Sequence, residues 1–224
     1  METSCGFVLV NYDSVLLLQY PQGHWSFPKG HVEEGETNHH ITATRELAEE
    51  TGIHQKVGLL EQFGSYGDPD RDPRMRVVTV GYWAIVPDLP SPRGGSDARH
   101  AEMVSVAEVE SERMRLAFDH QHIFSEALET ARSSLEDRTV GTLFCEPGFK
   151  VSTLRQVYNT VWNTDLDAGN FQRKVTTADG FLTKLESAPV RSGERGGRPA
   201  SLWTAGPAKK LSPPISRPLD DVEE

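Results

Sequence analysis

The sequence predicts an α+β chain of two units, an acidic one of strands and helices followed by a small basic one with the order helix, turn, helix, strand, strand. Three observations predict it. Runs at 4–10 (SCGFVLV), 15–20 (VLLLQY), 57–66 and 76–86 (RVVTVGYWAIV) are β-branched or aromatic and bounded by turn residues, as strands are. A Glu-rich segment with helix chemistry separates the second run from the third. Charge also divides along the chain: residues 1–140 carry 12 Lys and Arg against 23 Asp and Glu, residues 141–210 carry 10 against 6, and the last 14 carry 1 against 4. The formal net charge of -10 thus conceals a basic module tethered to an acidic one.

With 224 residues, 37% of them hydrophobic, the chain can bury one ordinary core and a smaller second one. No apolar run approaches the roughly 20 residues that cross a bilayer, and METSCGFVLV lacks the basic region of a secretory signal, so a soluble cytoplasmic protein with no membrane partner is expected. Cys5 and Cys145 are too few for a disulfide framework and have no neighbouring His or paired Cys for zinc, which leaves them as core thiols.

In the Glu-rich segment GHVEEGETNHHITATRELAEETGI (30–53), Thr37 or Asn38 can cap the helix N-terminus and Gly52 its C-terminus. PDLPSPRGGSD (87–97) reads as a loop, and 119–138 as a closing helix with Ile123, Ala127, Leu128 and Leu135 on its inner stripe. Beyond residue 140, Ser152 is the expected N-cap of a helix burying Leu154, Val157, Tyr158 and Val161, and Asp165 or Asp167 opens a second helix. The two strands would be GFLTKLE and PASLW, joined by the basic loop RSGERGGR (191–198), which is a winged-helix order. PAKKLSPPISRPLDDVEE is rich in Pro and charge and is expected to be disordered. The expected divisions are therefore 1–140, 141–206 and 207–224.

Glu46, Glu49 and Glu50 stand at i, i+3 and i+4, so their carboxylates leave one helix face. Like charges at that spacing repel unless a cation sits among them, and a hard cation such as Mg²⁺ takes carboxylate oxygens. A solvated surface is the other reading of such a face. Ala43, Leu47 and Ala48 are core material, while Arg45 needs a partner that Glu36 can supply as a bidentate pair. His39 and His40 diverge on a helix and read as exposed first-turn residues. Lys29 either reaches a phosphate or is plain surface, and Trp25 either stacks on a base or joins the core.

The ordered string Gly30, Glu36, Arg45, Glu46, Leu47, Glu49, Glu50, Gly52, Ile53 resembles the Nudix box, and GHWSFPKGHVEEGE resembles Nudix hydrolases of dinucleoside polyphosphates. The resemblance implies a Nudix α/β/α sandwich with a mixed sheet. It also implies Mg²⁺ on Glu46, Glu49 and Glu50, with Glu49 and Glu50 as the catalytic groups if the site is active. The sequence departs from the box by one residue: eight residues, TNHHITAT, separate Glu36 from Arg45 where the family has seven. An extra residue within the helix would turn the Glu face by about 100°. Arg45 to Ile53 keeps its register, so the extra residue is expected in the loop or first turn.

YGDPDRDPRMRVV (66–78) brings Arg71, Arg74 and Arg76 into an acidic unit; a guanidinium fork suits a diphosphate, and pairing with the neighbouring aspartates is the alternative. Asp-Pro-X-Arg-Asp-Pro-Arg resembles the loop of Nudix proteins that bind ADP-ribose. With Trp25 and Lys29 these arginines are the candidate ligand-binding residues.

In the basic unit, Phe171 and Val175 at i and i+4 should face the core, which turns Gln172 and Arg173 outward. Gln can read adenine and Arg guanine by paired hydrogen bonds. Asn170, Lys174, Lys150, Thr153 and Arg155 accompany them as candidate DNA contacts, with Arg191, Arg195 and Arg198 on the wing loop. Winged-helix units also serve as protein-docking modules. From about Gly6 to Thr204 the chain resembles the NrtR family, Nudix-related transcriptional regulators, through LRQVYNTVWNTDLDAGNFQRKV and GGRPASLW. It departs from that family at Ala168 and Gly169, where larger, often basic residues are usual. The resemblance implies a homodimeric repressor of NAD metabolism on palindromic operator DNA, released by ADP-ribose. The alternative is an active Mg²⁺-dependent hydrolase of ADP-ribose or dinucleoside polyphosphates.

Overall fold

The computed structural model describes residues 2–53, 59–85, 92, 98–186 and 201–218. The first strand runs pair as their patterns require. β1 (Glu2–Asn11) turns at Tyr12–Asp13 into β2 (Ser14–Gln19), and β6 (Val77–Ile85) lies parallel to β1 with Phe7 opposite Tyr82. β5 (Leu59–Tyr66) is antiparallel to β6. Three short strands absent from the sequence reading complete the sheet: β3 (Trp25–Ser26) on β2, β4 (Lys29–His31) on β1, and β7 (His100–Ser105) on β2. The result is a mixed seven-stranded sheet.

Both faces of β1 are buried, Cys5, Phe7 and Leu9 on one and Val8 and Val10 on the other, so helices must cover the sheet on two sides. Ala43 and Leu47 of α1 (His39–Thr51) pack with Cys5, Phe7, Leu9, Val80 and Tyr82. Asn38 caps α1 through His40 N–H, and Gly52 closes it at φ 71°, a left-handed turn that disfavours any side chain with a Cβ. A short α2 (Val106–Glu110), also absent from the sequence reading, precedes α3 (His120–Asp137). Ile123, Ala127, Leu128 and Leu135 of α3 are all buried, as expected.

The chain divides into two compact units, 1–130 and 131–224, so the division falls within α3, ten residues before the expected boundary. In the second unit a 3-10 turn (139–144) leads to α4 (Val151–Trp162), α5 (Ala168–Thr177), β8 (Leu182–Lys184) and β9 (Trp203–Ala205), the last two antiparallel. Leu154, Val157, Tyr158 and Val161 are buried. Phe171 of α5 packs on Tyr158, ring centroids 5.1 Å apart.

Three expectations are corrected. Lys150, not Ser152, holds the N-cap position of α4, without a side-chain cap bond. The last strand begins at Trp203, whereas PASLW was expected to form it. The segment 207–218, expected to be disordered, is packed: Leu211 N–H and Ile215 N–H donate to the carbonyls of Asp137 and Glu136, and Leu211 and Ile215 are buried. Two apolar anchors outweigh the Pro-rich composition that suggested disorder. Among the described residues no helix is long and apolar enough to cross a membrane.

Candidate functional site

The box glycine is dictated by contact. A Cβ at Gly30 would stand about 2 Å from the Glu46 carboxylate, so only glycine lets β4 pass this close to α1. The loop before α1 is fixed by Glu36, which accepts from Glu33 N–H, Thr42 Oγ1 and the Arg45 fork (Nε to Oε1 3.0 Å, Nη2 to Oε2 3.2 Å). Arg45 holds the Glu36 carboxyl down at about 2. The extra residue is therefore absorbed before the helix, which starts at His39 while the Glu36–Arg45 clamp is retained. His39 and His40 are exposed, as expected.

The three box carboxylates line one cleft of about 770 Å³ in the first unit, but in different states. Arg45 Nη1 donates to Glu46 at 2.8 Å and to Glu49 at 3.0 Å, occupying the space between them. Glu50 is 7% exposed and accepts from the Tyr20 hydroxyl and from Lys29 N–H, both at 2.7 Å. Burial pushes its carboxyl up to about 7 and also raises Glu46. Among the described residues no three His, Cys, Asp or Glu side chains are grouped to hold a metal ion. The cation among these carboxylates is Arg45 itself. Of the residues expected to hold Mg²⁺, Glu46 and Glu49 share Arg45 Nη1, while each Glu50 oxygen accepts one hydrogen bond and keeps a further lone pair.

The rest of the lining is aromatic and cationic. Tyr20 and His24 stack, centroids 5.2 Å apart, and Phe118 lies 6.1 Å from His24 and is 40% exposed. Lys29 Nζ stands 4.7 Å from the Tyr20 ring centroid, and the Arg74 guanidinium 4.8 Å from that of Phe118. Burial lowers the pKa of Lys29. Arg74 pairs with Asp72 through Nε and Nη2, yet its side chain is 61% exposed and remains able to meet a ligand.

The other ligand-binding candidates differ in their surroundings. Arg71 lines the cleft, but its side chain is 5% exposed and forks onto Asp119 (2.8 Å twice) and Thr79 (2.7 Å), so it braces the wall. Arg76 and Trp25 are not among the lining residues. Trp25 is bound into β3, and its carbonyl accepts from Ala117 N–H. The aromatic lining falls to Tyr20, His24 and Phe118; His24 stands within GHWSFPKGHVEEGE but was not singled out, and Tyr20 and Phe118 lie in no quoted motif.

In the second unit Phe171 and Val175 are buried, so Gln172, Arg173 and Lys174 are exposed as expected, along with Asn170 and Thr153. Asp167 caps α5 through Asn170 N–H, and Arg173 Nη2 donates to Asn170 Oδ1 at 2.6 Å. Lys150 is half-buried at the start of α4. Arg155 donates to Asp165 and to the Leu166 carbonyl, closing the turn between α4 and α5, with its side chain 28% exposed. Arg191, Arg195 and Arg198 lie outside the described residues.

A mixed sheet with a Gly30-to-Ile53 box against a nucleotide-sized cleft defines the class: the NUDIX domain model matches residues 3–127, and the chain belongs to that family. Nudix enzymes generally use a divalent metal. The chain is 28% identical over 194 residues to the ADPR responsive transcriptional repressor NtrR of Acinetobacter baylyi, covering 84% of this chain and 74% of that protein. Shewanella oneidensis NrtR in complex with a 27mer DNA superposes with a TM-score of 0.73 at 26% identity, over 97% of this chain and 99% of that one. The Nudix domain of the same protein bound to ADP-ribose matches with a TM-score of 0.52 at 28% identity, over 58% of this chain and 87% of that one.

Proposed function

We propose that this protein is an ADP-ribose-responsive transcriptional repressor, acting in the cytoplasm as a homodimer on palindromic operator DNA of NAD metabolism genes. The observation that carries the reading is the likeness to DNA-bound NrtR over both units, coupled with the outward Gln172, Arg173 and Lys174 on α5. Residues early in such a second helix meet base edges in the major groove, and cations meet phosphates. Asn170 and Thr153 add polar contacts, and Lys150 adds charge; Arg191, Arg195 and Arg198 are further candidates by charge alone. In the first unit, Tyr20, His24 and Phe118 take the adenine, and Lys29 with Arg74 takes the diphosphate. A gel shift of the DNA upstream of the chain's own gene, with and without ADP-ribose, tests it. A retarded band released by the nucleotide is expected; no retardation at any protein concentration refutes the reading.

The order Glu46, Glu49, Glu50 along α1 favours a second reading, hydrolysis of ADP-ribose or a dinucleoside polyphosphate with Mg²⁺. In that reading Arg45 Nη1, which donates to both Glu46 and Glu49, would give way to the cation. AMP release with Mg²⁺ by the wild type, lost in Glu50→Gln, would establish it.

A further inference from the structure

His120 opens α3, is 2% exposed and lines the same cleft, yet belongs to no sequence motif considered above. Its Nδ1 lies 3.0 Å from Ser26 Oγ, and Ser26 Oγ lies 3.0 Å from the Phe27 carbonyl oxygen. A serine hydroxyl has one proton, and a carbonyl can only accept. Were that proton given to His120, two oxygen acceptors would face each other at 3.0 Å with nothing between them. Both contacts are hydrogen bonds only if Ser26 donates to Phe27 and His120 donates its Nδ1 proton to Ser26. The imidazole then carries its proton on Nδ1 and a bare lone pair on Nε2, for which the described residues provide no partner.

The ring cannot easily turn to escape this assignment. Phe27 lies tilted against it with ring centroids 4.6 Å apart, and Phe118 meets it edge-on at 5.8 Å. The charged form is also opposed, first by burial and then by Lys29 and Arg71, which together hold its pKa down to about 3. The cleft already offers carboxyl acceptors in Glu46, Glu49 and Asp72, and His120 adds a fixed neutral nitrogen acceptor beside Lys29 and Arg71.

We propose that His120 Nε2 is a specificity-determining acceptor of the cleft and receives a hydrogen bond from a ribose hydroxyl of the bound nucleotide. This rests on the ADP-ribose reading of the site. His120 adjoins both Phe118, assigned to the adenine, and Lys29, assigned to the diphosphate, and the group between base and diphosphate in such a ligand is a ribose with its hydroxyls. A ligand lacking that hydroxyl leaves a buried acceptor unpaired, which is how a polar site rejects close analogues.

The test uses the full chain with ADP-ribose and its singly deoxygenated ribose analogues, measured by calorimetry against wild type and His120→Phe, which keeps the ring packing on Phe27. Wild type should bind ADP-ribose about tenfold more tightly than the variant does, and the loss should vanish for the one analogue missing the hydroxyl that His120 reads. Nitrogen-15 spectra of the wild-type imidazoles should show a neutral ring protonated on Nδ1. A ring protonated on Nε2, or an equal loss for every analogue, or no loss at all in the variant, overturns the inference while leaving ADP-ribose binding intact. Failure of the wild type to bind ADP-ribose removes the functional reading and this inference together.

Discussion

Glu50→Gln separates a buried acid from a surface one through the pH dependence of stability. Glu50 is 7% exposed, and its carboxyl is raised from 4.5 to about 7 by burial, against the opposing Tyr20 and Lys29 hydrogen bonds. The folded protein therefore keeps this proton where the unfolded chain has lost it. Its contribution is complete below about pH 4.5 and is lost as pH rises through about 7. A shift of this size corresponds to on the order of 3 kcal/mol, of which about 2 to 3 kcal/mol should disappear between about pH 5 and about pH 8. Gln does not ionise, so the variant should lack that decline. His120, with its pKa lowered to about 3, acts in the opposite sense: its contribution is present above pH 6.5 and is eroded as pH falls through the range down to about 3. That effect is common to both proteins and cancels in the difference. Urea unfolding of the first unit across this pH range, followed by tryptophan fluorescence, gives the difference curve. Parallel profiles would refute the assignment of a buried, protonated Glu50.

Other expectations can be checked alongside. Arg173→Ala should cost about 1 to 3 kcal/mol of operator binding and relax base preference at one position, read by anisotropy against a panel of single-base changes. Phe118→Ala removes the half-exposed ring beneath Arg74 and should weaken ADP-ribose binding about fivefold to tenfold without changing the first unit's unfolding midpoint by more than a few degrees. Phe171→Ala empties the space against Tyr158 and should destabilise the second unit by about 3 to 5 kcal/mol, visible in calorimetry. Gly30→Ala should disrupt β4 against α1, because the added methyl meets the Glu46 carboxylate, and should abolish nucleotide binding.

Long, strongly patterned elements were legible in the sequence. β1, β2, β6 and α3 carry apolar residues at strand or helix period, and α1 carries its caps, Asn38 and Gly52, as local chemistry. β3 and β4, of two and three residues, were not legible because pairing to β2 and β1 defines them, not pattern. β7, HAEMVS, mixes charge into a strand. In the site, the Glu36–Arg45 clamp followed from spacing, whereas the fate of Arg71 depended on Asp119, 48 residues away. Tyr20, His24, Phe118 and His120 converge from different parts of the chain, and no local signal announces such convergence. The packing of Leu211 and Ile215 beside α3 is likewise a long-range fact, set against a composition that favours disorder.

Binding at two sites that share one equilibrium must be reciprocal, so the factor by which ADP-ribose weakens DNA equals the factor by which DNA weakens ADP-ribose. Calorimetric titration of ADP-ribose into the free chain and into its operator complex measures that factor directly. The account predicts an affinity about 5-fold to 150-fold lower for the DNA-bound protein, the range of typical coupling energies. Equal affinities in the two titrations would contradict it.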